Sequence, residues 1–535
     1  MKKIIFKVFL SIFSGILLVL SFPKFGYSTL IYVSLVPLLF CLSMASYKEA
    51  TLMSFIAGFV FFITSLIWII NVTKYVDNFF ESVGLLLGYL ALCSYCSLFF
   101  IPFGIIAKWC CDKWFGLNIL KNIRIMISLT FSWVSLEFLR GILFTGFPWN
   151  SLGISQYLNP SIIQIASFGG VSIVTALIVW MNIGTFITLK LYTSSINKKK
   201  YRPHYEFIIG ILPIALSISF GIQTIFSSNE ESSEKFTVAL IQPNINQSEI
   251  NKLKFKNDYL NEKKIRNSSQ NIYNKISEEV DRAIINKNVD LVVLPETSLD
   301  YFNSSFFKKK LIDKVVNETA LLAGATFGEV SDNKIQYFNA SILYEKNSIN
   351  NTPAKYFKQH LVPFGEYNPF DYILKKFLPL ENINFSSGDK SVIFKTNDSP
   401  EFSVLICFED IFSSLARKAV LNNAKWLINQ TNDGWFDPSF QSEQHLAHSI
   451  FRCVENNIPM ARACNTGITS LIDSKGRIIQ RLDSLEKGFL ICTVDVKNNL
   501  KKTYYSKNGE IFAKLSFIIS LLILCIFSLD LKKSK

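Results

Sequence analysis

Three segments of this chain set a reactive side chain at the end of an apolar run. Phe402-Ser-Val-Leu-Ile-Cys407-Phe-Glu409-Asp410 is short, apolar and rich in branched residues, and it breaks off in a thiol and two carboxylates. That is the pattern of a buried strand with chemistry at its carboxyl end. A free thiol ionises near about pH 8.5, so it needs a nearby cation or hydrogen-bond donor to become a good nucleophile. Asp290-Leu-Val-Val-Leu-Pro-Glu296 repeats the design with a proline stop and a carboxylate. Tyr356-Phe-Lys358-Gln-His-Leu-Val-Pro-Phe-Gly-Glu366 sets a lysine ahead of a Pro-Phe-Gly turn and another glutamate. A carboxylate, an amine and a thiol from separate segments can supply a base, an electrophile and a nucleophile. Taken singly, each has an ordinary reading: Cys407 as a buried core thiol, Glu296 as a cap or turn residue, Lys358 as a solvent-facing strand lysine, and Glu366 as a partner for its own turn.

These segments must be held by something, and the surrounding pattern alternates. Apolar strands are predicted at 237–242, 290–294, 321–327, 340–344, 402–407, 426–429 and 469–473, with helices near 270–286, 309–319, 411–423 and 441–457. Strands alternating with helices argue for a layered α/β domain. The polar stretch 227–235 reads as the linker entering it, and no internal repeat or low-complexity tract is visible.

The flanking sequence is of another kind. Of the 535 residues, 50% are hydrophobic and 48 are phenylalanine, too apolar for an ordinary soluble chain. A first span to about residue 20 has no small-residue cleavage site after it, so it reads as uncleaved. Further spans are predicted near 26–43, 52–71, 83–107, 126–140, 162–189, 206–226 and 511–529, most of them near the roughly 20 residues needed to cross a bilayer core. Lys2, Lys3, Lys48, the 108–124 and 190–202 loops, Lys532, Lys533 and Lys535 then fall on one side, which the positive-inside rule makes cytoplasmic. The chain therefore reads as a polytopic α-helical membrane domain at 1–227 with seven transmembrane helices, an extracytoplasmic α/β domain at 228–508, and an eighth helix with a cytoplasmic tail at 509–535. The formal charge of +14 gathers beside apolar segments and forms no nucleic-acid-binding signature. Ten cysteines without paired spacing make neither a disulfide framework nor a zinc site, and pairing among Cys453, Cys464 and Cys492 stays open.

Leu-Pro-Glu296, the Lys358 segment and Ile-Cys407-Phe-Glu409 together resemble the three motifs of the nitrilase (carbon–nitrogen hydrolase) superfamily. Asn432-Asp-Gly-Trp-Phe436 with Gln444-His445 resembles the segment after its nucleophile. Leu-Val-Pro-Phe-Gly-Glu366, Gly146-Phe-Pro-Trp149, Ile241-Gln-Pro-Asn-Ile245 and Asn465-Thr-Gly-Ile-Thr469 are similar to the bacterial apolipoprotein N-acyltransferase family, over nearly the whole chain. One departure is that the family's tryptophan shortly after the Gln-Pro-Asn-Ile segment has no counterpart in 248–254, where Phe255 either substitutes or the contact is absent.

The resemblance implies an αββα sandwich in a multi-pass protein of the bacterial inner membrane, with the catalytic domain periplasmic and both termini cytoplasmic. It implies Glu296 as general base, Lys358 as oxyanion stabiliser and Cys407 as nucleophile, with Lys358 favouring thiolate. Glu366, Glu409, Phe408, Asn339 and Trp149 are implied as supporting or substrate-positioning residues. The implied reaction moves an acyl chain from a phospholipid, through a Cys407 thioester, to the α-amino group of a diacylated apolipoprotein. It involves no cofactor, metal or nucleic acid, and a monomer is expected. The aromatic stretch 367–380 is expected to dip into the outer leaflet. Glu137 and Arg140, three residues apart, are expected to form a neutralising ion pair with Trp149 nearby. His445 and His448 are expected as ordinary helix residues. A membrane-tethered amidase with the same trio, and a non-catalytic receptor or transporter, are the competing readings.

Overall fold

The computed structural model describes residues 2–533 apart from 77–78, 199–202, 228–232, 256–261, 286–287, 303, 332–333, 348–351, 370–383 and 398. The chain divides into two compact units, Met1–Ser228 with Thr503–Lys535, and Asn229–Lys502.

In the first unit, seven helices among the described residues are long and apolar enough to cross a membrane: Lys2–Leu20, Tyr47–Ser65, Phe79–Trp114, Ile119–Thr145, Val171–Ser194, Tyr205–Phe226 and Ile511–Asp530. The span expected at 26–43 is a broken element instead, a 3-10 turn Ser28–Tyr32 followed by the short helix Val36–Ser43. Pro37, at the start of that helix, has no N–H to continue the preceding turn. Asn182 on a neighbouring helix takes up backbone groups at the break: its Oδ1 accepts from the Leu35 N–H at 2.8 Å and its Nδ2 donates to the Ile31 carbonyl at 2.8 Å. A break in apolar surroundings persists only where a neighbour pairs the freed backbone in this way.

Glu137 and Arg140 do not pair directly among the described residues; each is committed to the loop that follows their helix. Glu137 accepts from Trp133 Nε1, the Leu152 N–H and Thr175 Oγ1, all at 2.9 Å. Arg140 donates Nη1 to the Phe147 and Trp149 carbonyls at 2.8 and 2.7 Å. The expected mutual neutralisation is replaced because the loop between Leu143 and Leu152 offers backbone partners closer than either charge is to the other. Trp149 is buried there against Trp68, with ring centroids 5.2 Å apart.

The second unit contains two six-stranded sheets. The first is built from β1 (Ser233–Gln242), β2 (Leu291–Val293), β3 (Ala320–Ser331), β4 (Lys334–Tyr344) and β5 (Ala354–Phe357). The second takes β6 (Phe394–Thr396), β7 (Ser399–Ile406), β8 (Trp426–Thr431), β9 (Met460–Cys464), β10 (Thr469–Ile472) and β11 (Ile478–Leu482), while β12 (Gly488–Lys497) returns to the first. The strand orders are β12-β1-β2-β3-β4-β5 and β11-β10-β9-β8-β7-β6. Each sheet has three parallel strands at its centre, β1-β2-β3 and β7-β8-β9, flanked by antiparallel neighbours.

The sheets face each other across one apolar core. Phe236, Val238, Leu240 and Val293 from the first meet Phe402, Val404, Trp426 and Ile428 from the second. Helix Glu262–Ile284 and helix Ser305–Val316 cover the outer face of the first sheet through Ile272, Ile276, Val280, Phe307, Leu311 and Val315. Helices Ser413–Leu421 and Gln441–Asn456 follow strands of the second sheet, and the latter is buried along its length apart from Glu443. Parallel strands buried on both faces read as continuous apolar runs, which is why β2, β7 and β8 were visible in the sequence. Strands β5, β6, β9, β11 and β12 were not predicted. β9 carries Arg462, and β11 is exposed along its centre, so neither shows a buried apolar run.

Candidate active site

The reactive side chains gather where the strands of both sheets end. Glu296 follows β2, Lys358 follows β5 directly, and Cys407 follows β7. The turn carrying Glu296 passes close over β3, where Gly324 makes room: a Cβ there would overlap the Pro295 carbonyl oxygen and the Thr297 nitrogen. Thr297 has φ +49 and Cys407 has φ +50, so both residues sit in the left-handed region that side chains ordinarily avoid. Gln430, buried on β8, donates to the Leu294 carbonyl at 2.6 Å and ties the end of one sheet to the other.

Lys358 is 1% exposed, and its ammonium bridges two carboxylates, Glu296 Oε1 at 3.2 Å and Glu366 Oε1 at 2.8 Å. Asn339 reinforces the bridge by donating Nδ2 to the same two oxygens at 2.8 and 2.9 Å. The second oxygen of Glu296 accepts from the Asn432 N–H at 3.0 Å, and the second of Glu366 accepts from the Val362 N–H at 2.8 Å. Burial opposes the Lys358 charge, yet Glu296 and Glu366 hold its pKa well above the usual lysine value.

Cys407 lies within electrostatic reach of these groups. Burial raises its pKa well above the ordinary thiol value, Glu296 adds to the rise, and Lys358 opposes it. The expected resting thiolate is therefore not what this arrangement favours: one ammonium already serves two carboxylates, leaving a net negative neighbourhood around the sulfur. A protonated thiol beside a carboxylate suits attack with simultaneous proton removal.

Glu409 sits outside this cluster, as a strut. It accepts from the Ile406 N–H at 2.7 Å, the Gln359 N–H at 2.6 Å, the His360 N–H at 3.1 Å and the Tyr356 hydroxyl at 2.8 Å. One side chain thereby fastens the end of the Cys407 strand to the turn after Lys358. Burial pushes its carboxyl up to about 7, against the pull of the Ile406 N–H, Lys358 and the other donors. Phe408 stacks edge-on against Phe412 with centroids 5.2 Å apart. Trp149 belongs to the other unit. The stretch expected to dip into the leaflet lies largely outside the described residues, as does the side chain of Phe255.

Several groups here go beyond the residues singled out by their sequence, and His445, expected as an ordinary helix residue, is among them. Tyr301 donates its hydroxyl to the Glu296 carbonyl at 2.9 Å, and Tyr356 holds Glu409. Below Cys407, Asn429, His445 and Arg462 form a fully buried polar cluster with Asp410 and Asp433. The signal for it was polar residues inside otherwise apolar strands, Asn429-Gln-Thr on β8 and Arg462 on β9. Cys453, Cys464 and Cys492 are buried free thiols.

Two family profiles match the chain: the apolipoprotein N-acyltransferase N-terminal domain over residues 14–184, and carbon-nitrogen hydrolase over residues 237–502. The apolipoprotein N-acyltransferase of Geobacter metallireducens is 30% identical over 518 residues, covering 94% of this chain and 92% of that protein. That of Pasteurella multocida is 30% identical over 500 residues, covering 90% and 88%. A solved carbon-nitrogen hydrolase from Helicobacter pylori G27 is 15% identical with a TM-score of 0.34, covering 49% of this chain and 89% of that one. Seven membrane-compatible helices among the described residues, in a chain matched over about nine-tenths of its length by bacterial relatives, mark a multi-pass membrane protein with a nitrilase-type α/β unit. With this identity sustained over nearly the full length of both partners, the chain belongs to the apolipoprotein N-acyltransferase family.

Proposed function

We propose that the chain transfers a fatty acyl group from a phospholipid to the α-amino group of the amino-terminal diacylglyceryl-cysteine of apolipoproteins. The observation that carries this is the Glu296–Lys358–Glu366 cluster, buried within electrostatic reach of the Cys407 thiol in a chain of this family. Glu296 takes the thiol proton as Cys407 Sγ attacks the ester carbonyl of the phospholipid. Lys358 stabilises the oxyanion, because its charge is already fixed in place and needs no reorganisation. The carbon–oxygen bond then breaks, Glu296 returns the proton to the departing alkoxide, and a lysophospholipid leaves behind a Cys407 thioester. The acceptor amine attacks that thioester, Glu296 accepts the ammonium proton of the adduct, and the thiol leaves reprotonated. Dividing one acyl transfer into two steps through a thioester suits an amine acceptor.

Glu366 and Asn339 keep Lys358 and Glu296 in register, and Glu409 keeps the nucleophile's strand beside them. We place the α/β unit on the periplasmic face of the inner membrane with both termini in the cytoplasm, from the distribution of lysine and arginine and with the broken apolar element Ser28–Ser43 taken as an eighth crossing. The enzyme acts as a monomer. The test is intact-mass analysis of the purified full-length protein after exposure to phospholipid, with and without a diacylated lipopeptide. An acyl adduct on Cys407, lost in Cys407→Ser and discharged only by the lipopeptide, is the expected result. Release of ammonia from small amides with no adduct from lipid would replace acyl transfer with amide hydrolysis.

A further inference from the structure

The polar cluster beneath the nucleophile touches the reacting residue. The Cys407 carbonyl receives two side-chain donors, Asn429 Nδ2 at 3.3 Å and His445 Nε2 at 3.2 Å. His445 is 1% exposed and faces a carboxylate at each ring nitrogen: Nε2 lies 2.8 Å from Asp410 Oδ1 and Nδ1 lies 2.9 Å from Asp433 Oδ1. Arg462, wholly buried on β9, donates Nη1 to Asp410 Oδ2 at 2.8 Å, Asn429 Oδ1 at 2.9 Å and Ser449 Oγ at 3.0 Å, and Nη2 to Asp433 Oδ2 at 3.3 Å. Asp410 belongs to the turn of Cys407, Asn429 to β8, Asp433 to the turn after β8, and His445 and Ser449 to helix Gln441–Asn456.

The charges decide the state of the ring. Asp410 and Asp433 carry two negative charges and Arg462 one positive, so a neutral imidazole leaves one buried charge unbalanced, which is costly. A neutral ring with its lone pair on Nδ1 would also set that lone pair against Asp433 Oδ1 at 2.9 Å with no proton between them. The contact on the other side of the ledger is Arg462 Nη2, 2.9 Å from Nδ1, and two carboxylates outweigh it. Other ionisable groups in reach are few. Arg452 on the same helix is paired to Glu455 at 3.0 Å, and burial keeps the Cys464 and Cys407 thiols protonated. Glu296, Glu366 and Lys358 act on the Cys407 thiol. Burial and Arg462 push the His445 ring down, Asp410 and Asp433 push it up, and the outcome is about 9 in place of the usual 6.5.

We propose that His445 is a positioning residue for acyl transfer: as an imidazolium it clamps the Cys407 carbonyl and holds the left-handed backbone from which the thiol is presented to Glu296 and Lys358. This rests on reading Cys407 as the nucleophile. The clamp explains why the chain tolerates φ +50 at a cysteine, since the carbonyl that such a conformation turns aside is caught by two buried donors. It also gives Asp410 and Asp433 a task, which is to keep the ring charged.

The test uses full-length protein in detergent with histidine labelled for ring-nitrogen resonance. The chain has four histidines, so His445→Gln identifies the signal by its loss. The expected result is an imidazolium at pH 7 that titrates near about 9, and in Asp410→Asn near a value about 1–3 pH units lower. In His445→Gln, Cys407 acylation by phospholipid should fall about 10²-fold at an unchanged phospholipid KM, the scale set by small misplacement of a reacting group. A neutral ring at pH 7, or acylation of His445→Gln at the wild-type rate, overturns the clamp. If His445→Gln fails to fold, Asp410→Asn decides. Its acylation should fail at the lower pH where its ring discharges, and an unmoved alkaline limit overturns the proposal. A wild-type protein that shows the ring titration but no acyl adduct on Cys407 refutes the acyl-transfer reading separately.

Discussion

Replacing Lys358 by methionine separates what the buried amine does for stability from what it does for chemistry. Methionine fills the same channel without charge. The amine it removes stands 3.2 Å from Glu296 and 2.8 Å from Glu366, with 1% of its surface exposed. The two carboxylate oxygens also share Asn339 Nδ2, at 2.8 and 2.9 Å, so they lie no more than about 6 Å apart. Two unit charges at that separation repel by about 3 kcal/mol at an effective dielectric of 20, in line with the ~3–5 kcal/mol lost when a buried pair is broken from one side. Lys358→Met should therefore destabilise the α/β unit by about 3 kcal/mol. It should also slow Cys407 acylation about 10²–10³-fold, the effect of deleting one oxyanion donor. Adding Glu366→Gln removes one of the two repelling charges and should restore most of the stability while restoring none of the rate. Denaturant melts report the first quantity and single-turnover release of lysophospholipid reports the second. Lys358→Met acylating within about tenfold of wild type would refute the assigned role. A double variant no more stable than the single one would refute the charge argument.

Three further outcomes follow from the geometry. Gly324→Ala drives a methyl group into the Pro295 carbonyl and the Thr297 nitrogen. It should cost about 1–3 kcal/mol of stability through overpacking, and acylation should fall with the phospholipid KM unchanged. The Glu409 carboxyl, raised from 4.5 to about 7, holds a proton that the unfolded chain has released. Its contribution to stability is therefore greatest at low pH and declines as pH rises from 4.5 through 7, and Glu409→Gln should flatten that part of the stability–pH curve. Asn182→Leu strands the Leu35 N–H and removes one donor from the Ile31 carbonyl, which keeps Ser34 Oγ, and should destabilise the membrane unit by about 1–2 kcal/mol; an unchanged melt would show that the Leu35 N–H finds another partner.

What could be read from residues alone followed the physics of burial. Strands β2, β7 and β8 declared themselves because strands buried on both faces become apolar runs, and each leads within three residues to Glu296, Cys407 or Asp433. Glu296, Lys358 and Cys407 each had an ordinary reading taken singly, and only their combination and its resemblance to the nitrilase motifs singled them out. The partners were not legible. Nothing in the order of residues says that Asn339 spans Glu296 and Glu366, or that Glu409 turns away from the thiol toward four backbone and hydroxyl donors. Arg462 hid β9, since a charge in mid-strand argues against burial until its counter-charges arrive from Asp410 and Asp433, 52 and 29 positions away. In the membrane unit, counting apolar residues across 26–43 suggested a full span, and it takes the amide of Asn182 and the hydroxyls of Ser14 and Ser34, which pair backbone at the break, to show why a fracture there is tolerated.

The two sheets repeat one plan, three parallel strands with an antiparallel strand on one flank and two on the other, though no sequence repeat announces it. The single outer strand of the second sheet, β6, is local, whereas that of the first is β12, which aligns residue for residue with β1 from Ser233↔Lys497 to Gln242↔Gly488. During synthesis β1 must therefore wait, one rim bare, until nearly the whole chain has been made. Glu296 and Lys358 emerge early and Cys407 later, and the half bearing the acid and the amine is sealed only after the sulfur has appeared. An unfinished polypeptide thus lacks a completed reactive centre, and the bare rim of β1 is the place where a chaperone or a second nascent copy would compete for it.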